Sequence, residues 1–194
     1  MLKKTLCIGM ASLALVAVFS LPAYSDDAYS RCSVSLWSPI QIAPEESDVR
    51  GFRLNLLYGE NRQVHGLDLG VVNVSTMGLT GVQMGGLNWD HGEMYGLQFG
   101  VDNVFQGTAD SGSSARAAAN SGAHGVQLGG LNIVFPEGQL TGAQIGVINI
   151  AKHMEGLQLG VINIAEQMRG VQIGALNFLP NGSVAFMPIL NASF

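Results

Sequence analysis

Three successive stretches, GAQIGVINIAKHME from Gly142, GLQLGVINIAEQMR from Gly156 and GVQIGALNFLPNGS from Gly170, say nearly the same thing every 14 residues. A chain that repeats at this short period must stack one small unit on copies of itself. Earlier copies start at Gly125, Gly96, Gly81, Gly66 and Gly51, at spacings of 14 to 17 residues with one gap of 29. A degenerate copy starts at Val184 and an imperfect one at Val34, which suggests roughly ten coils.

With the repeat glycine as position zero, positions one and three are apolar (Leu157, Leu159), as are six and eight (Ile162, Ile164). Positions two and seven carry amides, Gln158 and Asn163 in the same coil. Side chains alternate faces along a strand, so these positions share a face only if the strand turns a corner between them. The second glycine, at position four (Gly146, Gly160, Gly174), is the expected corner. Two short strands then put the apolar positions on one side and the amides on the other. The reading is an all-β fold, a single β-solenoid of two-faced coils of about 14 residues.

Apolar residues usually line the interior, so positions one, three, six and eight are expected inside and the amides outside. Met154 and Met168 would cover the core edge. Equivalent residues of stacked coils lie about 4.8 Å apart, so the Gln and Asn columns would bond along the stack as in cross-β arrays. On this expectation Asn163→Leu leaves the coil intact and Ile162→Asp disrupts the core.

Residues 1–25 read as a signal peptide: Lys3 and Lys4, an apolar run from Leu6 to Phe19, and small residues ahead of Asp26. The run is too short for a transmembrane helix. Without it, seven basic residues face fourteen acidic ones, and the formal charge moves from −5 to −7. That balance excludes nucleic acid as a partner, as well as electrostatic attraction to anionic membranes. Cys32 becomes the only cysteine, expected as a small buried residue or an intermolecular link.

Residues 26–50 read as an N-terminal cap, with Trp37 and Ile40 closing the core while Pro39 and Pro44 block further pairing. Residues 51–194 form the repeat domain, interrupted by a Gly/Ser/Ala-rich segment at residues 106–124 that is expected to be a flexible, shortenable insertion. The run SLWSPIQIAPEESDVRGFRLNLLYGENRQVHGLDLGVVN, the tandem GVQxGxxN units and the terminal MPILNASF resemble the bacterial surface repeat-containing protein family, across Ser35 to Phe194. The resemblance implies a small secreted protein of unassigned activity, with no catalytic residues to carry over.

Histidines 65, 91, 124 and 153 sit at turns and do not repeat as a set, so no metal site or cofactor is expected. Asp102 takes position six in the coil before the insertion, and His91 and Glu93 share a turn; these three are the candidate ligand-binding residues. Asp68 replaces a position-two Gln and is expected to face outward. GxxxG recurs without a following helix or Lys, which excludes a phosphate loop, and no catalytic triad, nucleophile elbow or CxxC is present.

These features favour a non-enzymatic secreted or surface-displayed protein, an envelope or partner-binding scaffold at the cell surface, outer membrane or periplasm of a bacterium. The varied polar corner of each coil is its expected contact edge. The partner, self-association and coil handedness are left open. An antiparallel outer-membrane β-barrel is the alternative fold, although Gln158 and Asn163 would fall on opposite faces of a straight strand and leave neither face clean for lipid. A polysaccharide-active β-helix enzyme is the third reading.

Overall fold

In the computed structural model the coils wind as a solenoid. It describes residues 29–38, 40–107 and 122–194, without the side chains of residues 136 and 137. Strand β1 (Tyr29–Trp37) opens the stack, and β2 (Ile40–Gln41) folds back on it antiparallel. Strands β3 (Asp48–His91), β4 (Glu93–Gln106), β5 (Gly122–Leu159) and β6 (Ile162–Phe178) carry the chain round successive coils. These coils pair in parallel and in register: Gly81 against Gly96, Gly96 against Gly125, Gly156 against Gly170. There are about eight turns, fewer than the ten copies counted in the sequence, and the parallel pairing rules out the antiparallel barrel.

The C-terminal copy accounts for part of that difference. β7 (Phe186–Ser193) runs antiparallel to β6, so Asn191 lies opposite Gln172 instead of continuing the Asn column above Asn177. A hairpin thus covers the last open edge, which a further parallel coil would leave exposed. At the other end β1 is itself a layer, with Val34 paired to Leu54. Trp37 does not close the core: it is 57% exposed, its ring 5.9 Å from that of Tyr58. Ile40 is exposed too, whereas Ala43 and Val49 are buried.

The corners are divided between the two glycines of each unit. The position-zero glycines have positive φ, +145° at Gly96 and +131° at Gly156. A β-carbon on Gly96 would lie 1.8 Å from the Gly81 carbonyl oxygen, so a side chain there would collide with the coil below. The position-four glycines serve a different purpose. A β-carbon on Gly160 would meet the Asn149 side-chain nitrogen at 2.6 Å and the Gly146 carbonyl oxygen at 2.5 Å, so this glycine makes room for the amide column.

Candidate functional site

The parity expected from the sequence holds, but inside and outside are exchanged. Gln83, Gln98, Gln127, Gln144, Gln158 and Gln172 are fully buried, as are the position-seven Asn residues from Asn73 to Asn177. The rest of the lining comes from position nine (Ala151, Ala165, Leu179) and from the residue two places before the next repeat glycine (Leu79, Met94, Met154), so the methionines are core and not edge. The apolar residues at positions one, three, six and eight face outward.

Hydrogen bonding accounts for the inversion. Gln158 Nε2 donates to Gln144 Oε1 at 2.7 Å and to the Ile164 carbonyl at 3.2 Å. Asn149 Nδ2 donates to Asn163 Oδ1 at 2.8 Å and to the Leu159 carbonyl at 3.0 Å. Both amide hydrogens are used in each case, so the cost of burying the group is offset. The two columns also run in opposite senses: Gln donors point toward the N-terminal end and Asn donors toward the C-terminal end.

At the N-terminal end the Gln column stops on charge. Gln83 Nε2 donates to Asp68 Oδ2 at 2.9 Å, and Arg53 meets the same carboxylate through Nε and Nη2 at 2.7 and 2.5 Å. Arg53 also donates to Asn61 and to the Val74 carbonyl. Asp68 is therefore buried, contrary to its expected outward place. Nearby, Asp90 accepts from Ser75 and, at 2.7 Å, from Gln98. Burial, above all, pushes the Asp90 carboxyl up to about 7, with the negative charge of Asp68 adding to the shift; Ser75, Arg53 and Gln98 oppose it. Arg53 and Asp90 were missed in the sequence reading, although a charged residue in an otherwise amide or small-residue column is a visible signal.

The residues singled out beforehand do not converge. Asp102 lies on the outer face, half-buried, in register between Leu87 and Leu131. His91 ends β3, its ring stacked on Trp89 at 5.5 Å, and Glu93 is exposed at the start of β4 opposite Gly78. His124 stacks on Tyr95 at 5.1 Å. Among the described residues, no three His, Cys, Asp or Glu side chains group as a metal site would need. Cys32 is half-buried. Residues 1–28, 39 and 108–121, where the expected signal peptide, Pro39 of the expected cap and most of the expected insertion fall, lie outside the described residues.

No family model, curated protein or solved structure matches this chain. Its candidate site is therefore built from its own surface alone.

That surface is divided sharply. In the seven coils that start at Gly66, Gly81, Gly96, Gly125, Gly142, Gly156 and Gly170, positions one, three, five, six and eight hold a single charged residue, Asp102. Position five stands out most: Val71, Val101, Val147 and Val161 are 53%, 65%, 54% and 50% exposed. Phe99, Met84, Leu159 and Ile173 add to the exposed apolar area at position three. The third side is polar in the C-terminal coils, with Lys152, His153 and Glu155 in one coil and Glu166, Gln167 and Arg169 in the next, and carries exposed Met77, Tyr95 and Phe135 in earlier ones. A groove along that side is open and mixed in sign, lined by Gln139, His153, Glu155, Gln167 and Arg169 among others. The solenoid is thus amphipathic in cross-section, with two apolar outer faces and one polar face.

Proposed function

We propose that the chain is a non-enzymatic, exported scaffold of the cell envelope that works by contact, and that its contact surface is the pair of apolar outer faces. The observation that carries this reading is their continuity: stacked columns of Val, Leu, Ile and Phe, broken by a single carboxylate at Asp102. Contiguous apolar surface on this scale marks an interaction site on a water-borne protein. Export is supported by Lys3, Lys4, the apolar run and the small residues before Asp26. The varied polar edge takes a lesser part, because its charges alternate in sign.

The test is co-sedimentation of the purified chain with bacterial envelope fragments. Substituting Val161→Glu is expected to release the chain from the envelope, while Glu166→Gln on the polar side leaves it bound. Equal retention of both variants, or turnover of an envelope glycan by the chain, would overturn the reading.

A further inference from the structure

Resting on that reading, we infer that the occupant of the two apolar faces is the acyl layer of a lipid surface, into which the solenoid sinks sideways with its polar face toward water. The argument begins with shape. Each coil closes around its interior, so the two faces turn away from each other across the edge formed by Gly146, Gly160 and Gly174. A flat partner covers one of them. A fluid layer covers both.

Area points the same way. Strands of four to five residues at about 3.3 Å each, stacked seven coils deep at about 4.8 Å, make each face roughly 500 Å². A second copy on one face would bury about 1,000 Å² in total, at the lower limit for a specific interface. It would also leave a second apolar face of the same size in water.

The backbone permits immersion. A lipid-facing segment must satisfy its peptide groups internally, and in this fold the coils exchange those bonds along the stack, as in the in-register pairs from Gly96 to Phe105. Among the described residues, unpaired edges are confined to the two ends, where β2 and β7 fold back antiparallel. The buried amides bond to one another and to backbone carbonyls along the stack, with Asn55 Oδ1 and Gln172 Oε1 at the column ends left without a partner.

Chemistry identifies the layer by its chains, not its headgroups. No basic cluster lines the faces, and the chain carries a formal charge of −5, so anionic lipid offers no attraction. The charge partition matches that of interfacial amphipathic helices, with a solenoid in place of the helix.

The experiment floats the full chain with protein-free phosphatidylcholine vesicles, with and without added phosphatidylglycerol. Binding is expected to both, insensitive to salt. Val161→Glu and, separately, Val71→Lys should each lower partitioning by about tenfold or more with unchanged circular dichroism, while Glu166→Gln has no effect. Asp102→Leu should raise partitioning several-fold by removing the charge from the face. Two variants on different coils guard against one failing to fold.

Four outcomes overturn the inference. Equal binding of wild type, Val161→Glu and Val71→Lys would assign the affinity to the apolar run between Leu6 and Phe19. Binding confined to anionic vesicles and lost in high salt would assign it to headgroups. A dimer in vesicle-free sedimentation, broken by Val161→Glu and indifferent to lipid, would make a second copy the occupant. Retention on envelope fragments without binding to protein-free vesicles would leave the scaffold reading standing and sink the lipid occupant alone.

Discussion

The N-terminal and C-terminal coils share one backbone path but fill it differently. From Gly125 onward the interior is neutral: two amide columns with Val, Ala, Leu and Met. Toward the N-terminal end the same columns hold Arg53, Asp68, Ser75 and Asp90. The difference shows that the coil demands hydrogen-bond closure at these positions more than a residue type. A column of identical amides closes on itself along its length, and only its end members need some other group as a partner. Asp68 accepts from the first Gln and is neutralised by Arg53. At the other end Gln172 Oε1 is buried without a hydrogen-bond partner, since no further Gln follows.

The strongest way to break this contrast is Arg53→Met. It leaves Asp68 buried and uncompensated, which typically costs roughly 3–5 kcal/mol. Chemical denaturation should show that loss, and the companion Arg53→Met/Asp68→Met should regain much of it. A single Arg53→Met variant as stable as wild type would mean that the charged end is no more than a surface pair.

Asp90 sharpens the contrast through pH. Its folded pKa of about 7 lies above the ordinary carboxylate value, so between about pH 4 and pH 7 the folded chain holds a proton that the unfolded chain releases. The contribution of Asp90 is therefore complete below about pH 4 and is lost as pH rises through 7, by on the order of 4 kcal/mol at most. Melting temperature should fall from pH 5 to pH 8 in wild type, and Asp90→Asn should flatten the slope. A wild-type profile as flat as that of Asp90→Asn would show the carboxyl to be ionised throughout.

In the neutral coils the matching test is Asn163→Leu. It removes the acceptor for Asn149 Nδ2 and the donor for Asn177 Oδ1, along with the bond to the Ile173 carbonyl. Two buried groups left short of partners cost about 2–4 kcal/mol together. Sequence reasoning expects the opposite, and the reason is instructive. The 14-residue period, the corner at position four and the grouping of one, three, six and eight against two and seven were all legible, because they follow from spacing and glycine placement. Which group lies inside was not, because a side choice based on hydrophobicity treats Asn163 as one polar residue. Only in the stack does each amide meet its copies at bonding distance on both sides. The amphipathic exterior was hidden by the same step, since placing Ile162 and Leu159 inside left nothing apolar to ask about. Asp102, taken for a misfit in the core, is instead a carboxylate on an apolar outer face, and its separation from His91 and Glu93 needed the register to be seen.

The smallest expected effect completes the comparison. Ile162 lies next to Asn163 on the same strand but points outward, half-buried between the side chains of neighbouring coils, in register with Ile148. Ile162→Asp places a carboxylate where water reaches it and leaves both amide columns untouched. What is lost is the contact with adjacent β-branched side chains on one face, a cross-strand term of roughly 0.2–1 kcal/mol. Stability in water should therefore move by no more than about 1 kcal/mol, measured by urea denaturation beside Asn163→Leu. The two neighbouring substitutions then rank opposite to their hydrophobicity. Were Ile162→Asp to unfold the chain while Asn163→Leu left it intact, the amides would have to be outside after all, and the apolar exterior on which the proposed contact surface rests would not exist.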